Sequence, residues 1–587
     1  MPRITAKPQL SQHKETNGNG GRALPSMNGT KYAVRESPMF DPRPIRIIGI
    51  GAGASGINMI RTLRQTLSGL PFEHVVYEKN KGIGGTWLEN RYPGCRCDVP
   101  SHSYQFSWRK NPSWSNLFAS AAEIEGYLRD ICDEEDMWGC IRTSHRVLSA
   151  VWSEEKSVWQ VEVENTGTKE VVQDVADFLI DASGILNNWS WPDIPGREDF
   201  EGQMIHTAAW PEGFNVDGKV VAIIGNGASG LQVLPQIVPR VKKLYHPVRT
   251  PTWVLPPRIA TMKMGAAAPV INQVEMGPDG EFTPAQIQRF RDDPTFYELF
   301  IRTLDLDSNL KFALSLVDGS PQQQWAAQKC REFMTAALGG DRALCEALIP
   351  AFPIGCRRLT PAPGYLEAMR DPKVSVVTEG IKRFVRGGIE LATGEVLEVD
   401  AVICATGFGR SFRPPFPIVG RKGNLQDVWR VEAPASYMSV GIAGMPNYFK
   451  FLGPHAPIAH GDIFKLSEHI ARYVARAIRK CQTEGILSIC PSDAAVAEYA
   501  AHVEAFMPRT AWAGACRSWY KGDGDGDGDG DGSVVALHPG SRLHFLGMLA
   551  EFRGEDWEYV YAAGNRFAYL GNGFTGEEAE AMKRMNM

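Results

Sequence analysis

An α/β fold with two dinucleotide-binding units of Rossmann type and a helical insertion follows from three features of this 587-residue sequence. Two glycine-rich turns, Gly51-Ala-Gly53-Ala-Ser-Gly56 and Gly225-Asn-Gly227-Ala-Ser-Gly230, each follow a short apolar run of strand character. Each turn opens a stretch that reads as a helix, the arrangement a nucleotide-binding βαβ unit requires. Residues 262–350 depart from this pattern, with longer polar–apolar periodic stretches, few β-branched runs and helix formers at Ala326–Leu338.

Composition narrows the function classes. Hydrophobic residues make up 43% and charged residues 22% of the chain, which is ordinary for a globular protein. The net charge of -5, from 62 Lys and Arg against 67 Asp and Glu, lacks the basic footprint of a duplex binder, so no nucleic-acid partner is expected. No apolar run approaches the ~18–20 residues that span a bilayer. The N-terminus has no apolar stretch after its basic residues, and the expectation is a cytoplasmic protein without a membrane segment. The 11 cysteines are odd in number and contain no Cys-x-x-Cys pair. They read as a reduced intracellular set, neither a disulfide framework nor a zinc site.

Residues 1–44 are polar and without periodicity, which predicts a disordered leader. Residues 45–185 read as the first part of one dinucleotide-binding domain. After the strand Arg46–Ile50 and its turn, Met59, Ile60, Leu63 and Leu67 share a helical face, and a second strand, His74–Tyr77, ends in Glu78. In such a unit Gly51 makes the tight turn, Gly53 admits the pyrophosphate, Gly56 lets helix pack on strand, and Glu78 serves a ribose hydroxyl. The alternating segment Val158–Val163, after a helical stretch, predicts a small hairpin.

Residues 186–384 read as a second domain that carries the insertion. Its strand, Lys219–Ile224, leads into the second turn, but Arg249 stands where the first unit has its acid, with Lys242, Lys243 and His246 nearby. A carboxylate would repel a 2′-phosphate, whereas arginine offers it a bidentate fork. The first site is therefore expected to hold a cofactor with a free ribose and the second NADPH; a plain surface role for Arg249 is the alternative. Two such sites imply hydride transfer between cofactors, with NADPH and FAD as the pair.

Residues 385–587 are expected to complete the FAD domain, with the strand Asp400–Ala405 and its Thr406-Gly407 turn closing over the flavin. The Asp-Gly tract, residues 521–533, has Val534 where an EF-hand starting at Asp523 would need its bidentate Glu, so it reads as a flexible loop and no metal is expected. Cys95-Arg-Cys97 lacks the Cys-x4-Cys spacing of a flavin-linked disulfide reductase, and both thiols read as inert.

Two motifs go further. Phe200-Glu-Gly202-Gln-Met-Ile-His206-Thr-Ala-Ala-Trp210-Pro211 and Gly84-Gly85-Thr86-Trp87-Leu-Glu-Asn-Arg-Tyr92-Pro93-Gly94-Cys-Arg-Cys-Asp98 resemble the paired fingerprints of Baeyer–Villiger monooxygenases. Ala405–Phe408, Gly444–Phe449 and Arg517–Tyr520 extend the resemblance over roughly residues 45–570. It implies a single-component enzyme with FAD and NADPH that forms a C4a-peroxyflavin from O2 and converts a ketone to an ester or lactone. It also implies that Arg358, within Gly355-Cys-Arg357-Arg358-Leu-Thr-Pro, is the catalytic arginine and Asp98 the carboxylate that orients it. By the same resemblance Thr86, Trp87, Glu89, Asp98, Val99 and Tyr104 line FAD. Asn226, Gly227, Ala228, Ser229, Gly230, Gln232, Arg249, Thr250 and Arg357 hold NADP, and His206 acts in the linker between domains. The Gly355–Pro361 variant resembles members that oxidise bulky multi-ring ketones of natural-product pathways. The rival is an N- or S-oxygenating flavin monooxygenase, which lacks the Trp-Pro ending and needs no arginine beside the flavin. A flavin-bound relic without activity would be expected to have lost Asp98, Arg358 or a glycine turn.

Overall fold

The structure, a computed structural model, describes residues 32–257, 262–263, 265–409, 411–459, 461–522 and 533–585. The described residues up to Asp41 and those from Ala563 onward form one compact unit, and Pro42–Ala562 form the other. In the small unit Phe40 stacks on Tyr569 at 5.0 Å, and the Met39 N–H donates to Phe574 O at 2.8 Å. Its helix, Gly576–Arg584, starts with a reciprocal capping box between Thr575 and Glu578. The leader expected over residues 1–44 is thus corrected for residues 32–41, which aromatic stacking and backbone bonds hold against the C-terminal segment. Residues 1–31, and the Asp-Gly tract over 523–532, lie outside the described residues.

Two five-stranded parallel sheets carry the large unit. In the first the strand order is Tyr448–Lys450, Phe178–Asp181, Ile45–Ile50, Phe72–Tyr77, Ile141–Arg142. Ile45–Ile50 is buried along nearly its whole length, as a parallel strand covered on both faces must be. The helix Ala54–Thr66 covers one side, burying Ile57, Met59, Ile60 and Leu63. Met59, Leu63 and Leu67 share a core with Ile470, Val474 and Ile478 of the long helix Ile463–Thr483, and Asn58 Nδ2 donates to Ser467 Oγ at 3.1 Å. Asp181 fixes the edge strand: Lys450 Nζ and Tyr448 OH both donate to its Oδ2 at 2.7 Å. Burial pushes this carboxyl up, but the Lys450 charge and these bonds bring it below its usual value.

The second sheet runs Val374–Val377, Lys243–Pro247, Val220–Ile224, Ala401–Cys404, Gln203–His206, again all parallel. This corrects the placement of the strand at 400–405 in the FAD domain. Val402 pairs with Ala222 and Met204, so the strand lies inside the second sheet. Four buried apolar residues fit either sheet equally well, and only the pairing decides between them. A separate meander, His145–Ser153, Val158–Asn165 and Val171–Ala176, is joined by Ile418–Gly420 and Gly423–Asn424.

Residues 268–348 are helical: Ala268–Ile271, Pro284–Asp292, Pro294–Lys311, Pro321–Ala337 and Arg342–Leu348. Thr283, Asp293 and Ser320 cap the three longest through side-chain oxygens, each followed by proline, whose missing N–H costs nothing at a helix start. His102 anchors these helices, its buried ring packed among Phe282, Phe290, Tyr297 and Phe300 at 5.0–5.5 Å. Burial alone pulls its pKa down to about 3, so the ring is neutral. No helix among the described residues is long and apolar enough to cross a membrane.

Candidate active site

The two glycine turns are built alike. Gly51 has φ +96° and a Cβ there would meet Ala182 O at 2.8 Å; Gly225 has φ +105° and its Cβ would meet Ala405 O at 2.4 Å. Both positions therefore exclude other residues twice over, by conformation and by space. A Cβ on Gly56 would lie 2.0 Å from Gly51 O, and one on Gly230 would lie 2.1 Å from Gly225 O, so each helix packs onto its own turn. Ala182 ends its strand as Ala405 ends Ala401–Cys404, and the Thr406-Gly407 turn accordingly abuts the second glycine turn.

Glu78 secures the first turn. Its Oε2 accepts from the Ala52 N–H at 2.9 Å, and its Oε1 accepts from the Asn80 N–H and Nδ2, both at 2.8 Å. Burial nevertheless raises its pKa, because backbone donors offset desolvation only in part. At the second turn Asn226 Nδ2 donates to Thr250 O at 2.9 Å, and Thr252 Oγ1 donates to Asn226 O at 3.0 Å. The helix after the second turn is tied to the Tyr92–Arg96 segment: Tyr92 OH donates to Gln232 Oε1 at 2.9 Å, and Gln232 Nε2 donates to Arg96 O at 3.0 Å. Gly94 is required at this crossing, since its Cβ would meet Gln232 O at 2.8 Å.

Arg358 lines the same cavity as both turns. Its Nε and Nη2 donate to Asp98 Oδ2 and Oδ1, both at 2.7 Å, and its Nη1 donates to Ile458 O at 3.0 Å. This bidentate geometry fixes the guanidinium plane. Burial works to lower its pKa, but the Asp98 charge and hydrogen bonds outweigh burial, and the group is held firmly cationic. The 28% of the Arg358 side chain that is still accessible opens onto the cavity. Arg357 Nη1 turns the other way and donates to Thr250 O at 3.2 Å and Pro251 O at 3.1 Å. Burial first and the nearby Arg249 charge second lower its pKa, so an anion between these two cations is favoured.

One cavity of about 1990 Å³ takes in both turns and Arg358, well beyond the ~300–1,000 Å³ of an ordinary small-ligand pocket. Gly51, Gly53, Glu78, Thr86, Trp87, Asp98, Val99 and Tyr104 line one part of it. Asn226, Gly227, Ala228, Ser229, Gln232, Arg249, Thr250 and Arg357 line another. Basic side chains on its wall outnumber acidic ones, and the residues therefore fit two phosphate-bearing cofactors. Gly56 and Gly230 pack behind the turns. Glu89 is not on the cavity wall: it accepts from Asn80 Nδ2 at 2.8 Å and pairs with Lys79 at 3.0 Å, steadying the residue that holds Glu78.

His206 is buried and stacks on Trp189 at 4.5 Å. Its Nδ1 accepts from the Ala208 N–H at 3.1 Å, so the proton sits on Nε2, 3.2 Å from Thr406 Oγ1. Burial lowers its pKa to about 4. A His206→Gln variant is expected to give a pH profile of kcat/KM parallel to wild type above about pH 6, because the ring carries no charge there. The folded ring resists protonation, so its contribution to stability is complete above about pH 6.5 and fades as pH falls toward about 4. Thermal melts across that range check the sign.

The cysteines require a correction to the reading of a wholly reduced set. Cys356 and Cys516 form a disulfide, because the chain returns across 160 residues to bring their Cα atoms within 6.2 Å. Burial pushes the Cys95 thiol up to about 11 and the Cys97 thiol well above its usual value, so neither is poised to react.

Residues 50–121 match the family of NAD(P)-binding Rossmann-like domains. An FAD-binding monooxygenase of Aspergillus terreus is 36% identical over 547 residues, 93% of this chain and 94% of its own length. A Baeyer-Villiger monooxygenase of Pseudomonas aeruginosa is 30% identical over 494 residues, 81% of this chain and 85% of its own. The chain belongs to the Baeyer–Villiger monooxygenase family. Among solved structures of this family, the cyclohexanone monooxygenase of Rhodococcus sp. Phi1 bound to NADP+ superposes with a TM-score of 0.72 at 26% identity, covering 89% of this chain and 100% of that one. A steroid monooxygenase bound to NADP gives 0.69 at 28% identity, with the same coverage. In this Baeyer–Villiger monooxygenase, sequence reasoning missed Asn80, Thr406 as the partner of His206, and Ile458 as an acceptor for Arg358. The first is visible as an amide two residues after Glu78; the other two depend on contacts distant in sequence.

Proposed function

We propose that this Baeyer–Villiger monooxygenase binds FAD at the Gly51–Gly56 turn and NADPH at the Gly225–Gly230 turn, and inserts one oxygen atom beside the carbonyl of a bulky ketone. The observation that carries this reading is the Asp98-held Arg358, on the wall of a cavity that both turns share. Reduced FAD, when bound, supplies the activation of O2. This chain's residues do the rest. Arg358 holds positive charge where the ketone oxygen becomes negative, and Asp98 keeps that charge oriented without reorganisation. Glu78 and Asn80 hold the first turn and face the ribose, and Arg249 with Arg357 takes the 2′-phosphate. Tyr92 and Gln232 tie the Tyr92–Arg96 segment to the helix of the second turn, and the His206–Thr406 contact holds the ends of two neighbouring strands within the second sheet.

A bulky substrate is supported by the size of the cavity and by similarity to a steroid monooxygenase. The test is mass analysis of products from a panel of fused-ring ketones, monocyclic ketones, tertiary amines and thioethers under labelled oxygen. One label in an ester or lactone, with fused-ring ketones turned over faster, supports the reading; label only in N- or S-oxides rejects it. Cofactor choice has its own check. Arg249→Ala is expected to raise the KM for NADPH roughly tenfold to hundredfold, the worth of a charge-assisted contact of about 1.5–3 kcal/mol. The KM for NADH should hardly move. Equal losses for both would remove Arg249 from the 2′-phosphate site.

A further inference from the structure

The disulfide lies where the cations are set. Cys356 directly precedes Arg357 and Arg358, and Cys516 directly precedes the cavity-lining run Arg517-Ser518-Trp519. Cys356 is fully buried, whereas Cys516, 6% exposed, borders the cavity. Over residues 514–519 the main-chain bonds are local, Gly514 N–H to Ala511 O at 3.1 Å and Cys516 N–H to Gly514 O at 2.8 Å, and non-local pairing begins only at Tyr520, whose O accepts from the Val535 and Ala536 N–H groups at 3.1 Å. The covalent link ties this wall to the arginine loop. It spares a ligand the cost of ordering the wall when it binds.

We propose that the Cys356–Cys516 disulfide is a positioning device for the cavity cations, opened by thiol reductants and shielded from them by bound NADP. This rests on the reading of Arg357 and Arg358 given above. In the opening step a reductant thiolate attacks the Cys516 sulfur, the one that borders the cavity. The S–S bond breaks, and Cys356 leaves as a thiolate and takes a proton. A second reductant thiolate then attacks the sulfur of the first in this mixed disulfide, and Cys516 leaves as a thiolate and takes a proton. Two electrons and two protons pass from two reductant thiols to the cysteine pair, and the reductant ends as its own disulfide. Cys95 and Cys97 also border the cavity, but their raised thiol pKa values keep them from competing.

The experiment uses the holoenzyme with dithiothreitol as the probe. Alkylation and peptide mass analysis should find Cys356 and Cys516 linked in untreated protein and both alkylated after treatment, with saturating NADP+ slowing the opening. Opening should raise the Kd for NADP+ about threefold to tenfold, speed hydrogen exchange over residues 514–522, and lower product formed per NADPH by about tenfold. The double variant Cys356→Ser with Cys516→Ser should match the opened wild type and ignore dithiothreitol, while Cys95→Ser should respond as wild type does. Free thiols at both positions in untreated protein, or NADP+ affinity and exchange unchanged by opening, would overturn the proposal. So would a Cys95→Ser variant that no longer responds. If the reading of Arg358 alone is wrong, product yield becomes insensitive to dithiothreitol while the NADP+ shielding and the exchange change remain.

Discussion

Arg358→Ala should still take up FAD and oxidise NADPH, yet its ester or lactone yield per NADPH should collapse, with oxygen diverted to hydrogen peroxide. Neither glycine turn nor Glu78 touches this side chain, so binding and hydride transfer have no reason to fail. What disappears is a cation fixed by two 2.7 Å bonds to Asp98 on the wall of the shared cavity. In a water-excluded site one such preorganised donor is commonly worth ~2.7–4 kcal/mol, or ~10²–10³ in rate. Asp98→Ala should fall in the same direction but less far, because the charge stays and only its orientation is lost. It should also melt earlier, since breaking a buried pair from one side leaves the other charge uncompensated. The measurements are product per NADPH, peroxide formed, and melting temperature for wild type and both variants. Normal coupling in Arg358→Ala would transfer the reading to N- or S-oxygenation.

The second large effect should come from one methyl group on either turn. In Gly56→Ala the new Cβ would sit 2.0 Å from the Gly51 carbonyl oxygen, and in Gly230→Ala 2.1 Å from that of Gly225. Both neighbours are backbone, so a whole turn must move. We expect Gly56→Ala to purify without the yellow of bound flavin. Gly230→Ala should purify yellow, but with its affinity for NADPH lowered by at least about a hundredfold, as sub-ångström placement at a catalytic site commands. Absorbance at the flavin band and NADPH titration separate the two. If Gly56→Ala keeps its flavin and Gly230→Ala loses it, the assignment of cofactors to turns is reversed.

Local chemistry was legible in the sequence. Glycines at fixed offsets after a strand and an acid at the end of the next strand act within a few residues, so spacing alone carries them. The short-range rule gave Gly56 its packing role, whereas Gly230, expected from the resemblance to hold NADP, packs on its own turn in the same way. Long-range pairing was not legible. Whether Ala401–Cys404 joined the first or the second sheet depended on hydrogen bonds to Val220–Ile224 and Gln203–His206, which an apolar run of four residues does not encode. Whether Cys356 met Cys516 depended on a return of the chain across 160 residues. Arg358 lies between these cases: its motif, and through the family resemblance its partner Asp98, can be read from the sequence, but its acceptor Ile458 O cannot. Its two bonds to Asp98 and third to Ile458 O exist only because three segments far apart in sequence converge on one cavity wall. Sequence by itself determined the kinds of unit and the residues able to do the chemistry. Tertiary structure decided which sheet each strand entered and which charges met, because those contacts are selected by the packing of the whole chain rather than by any local preference.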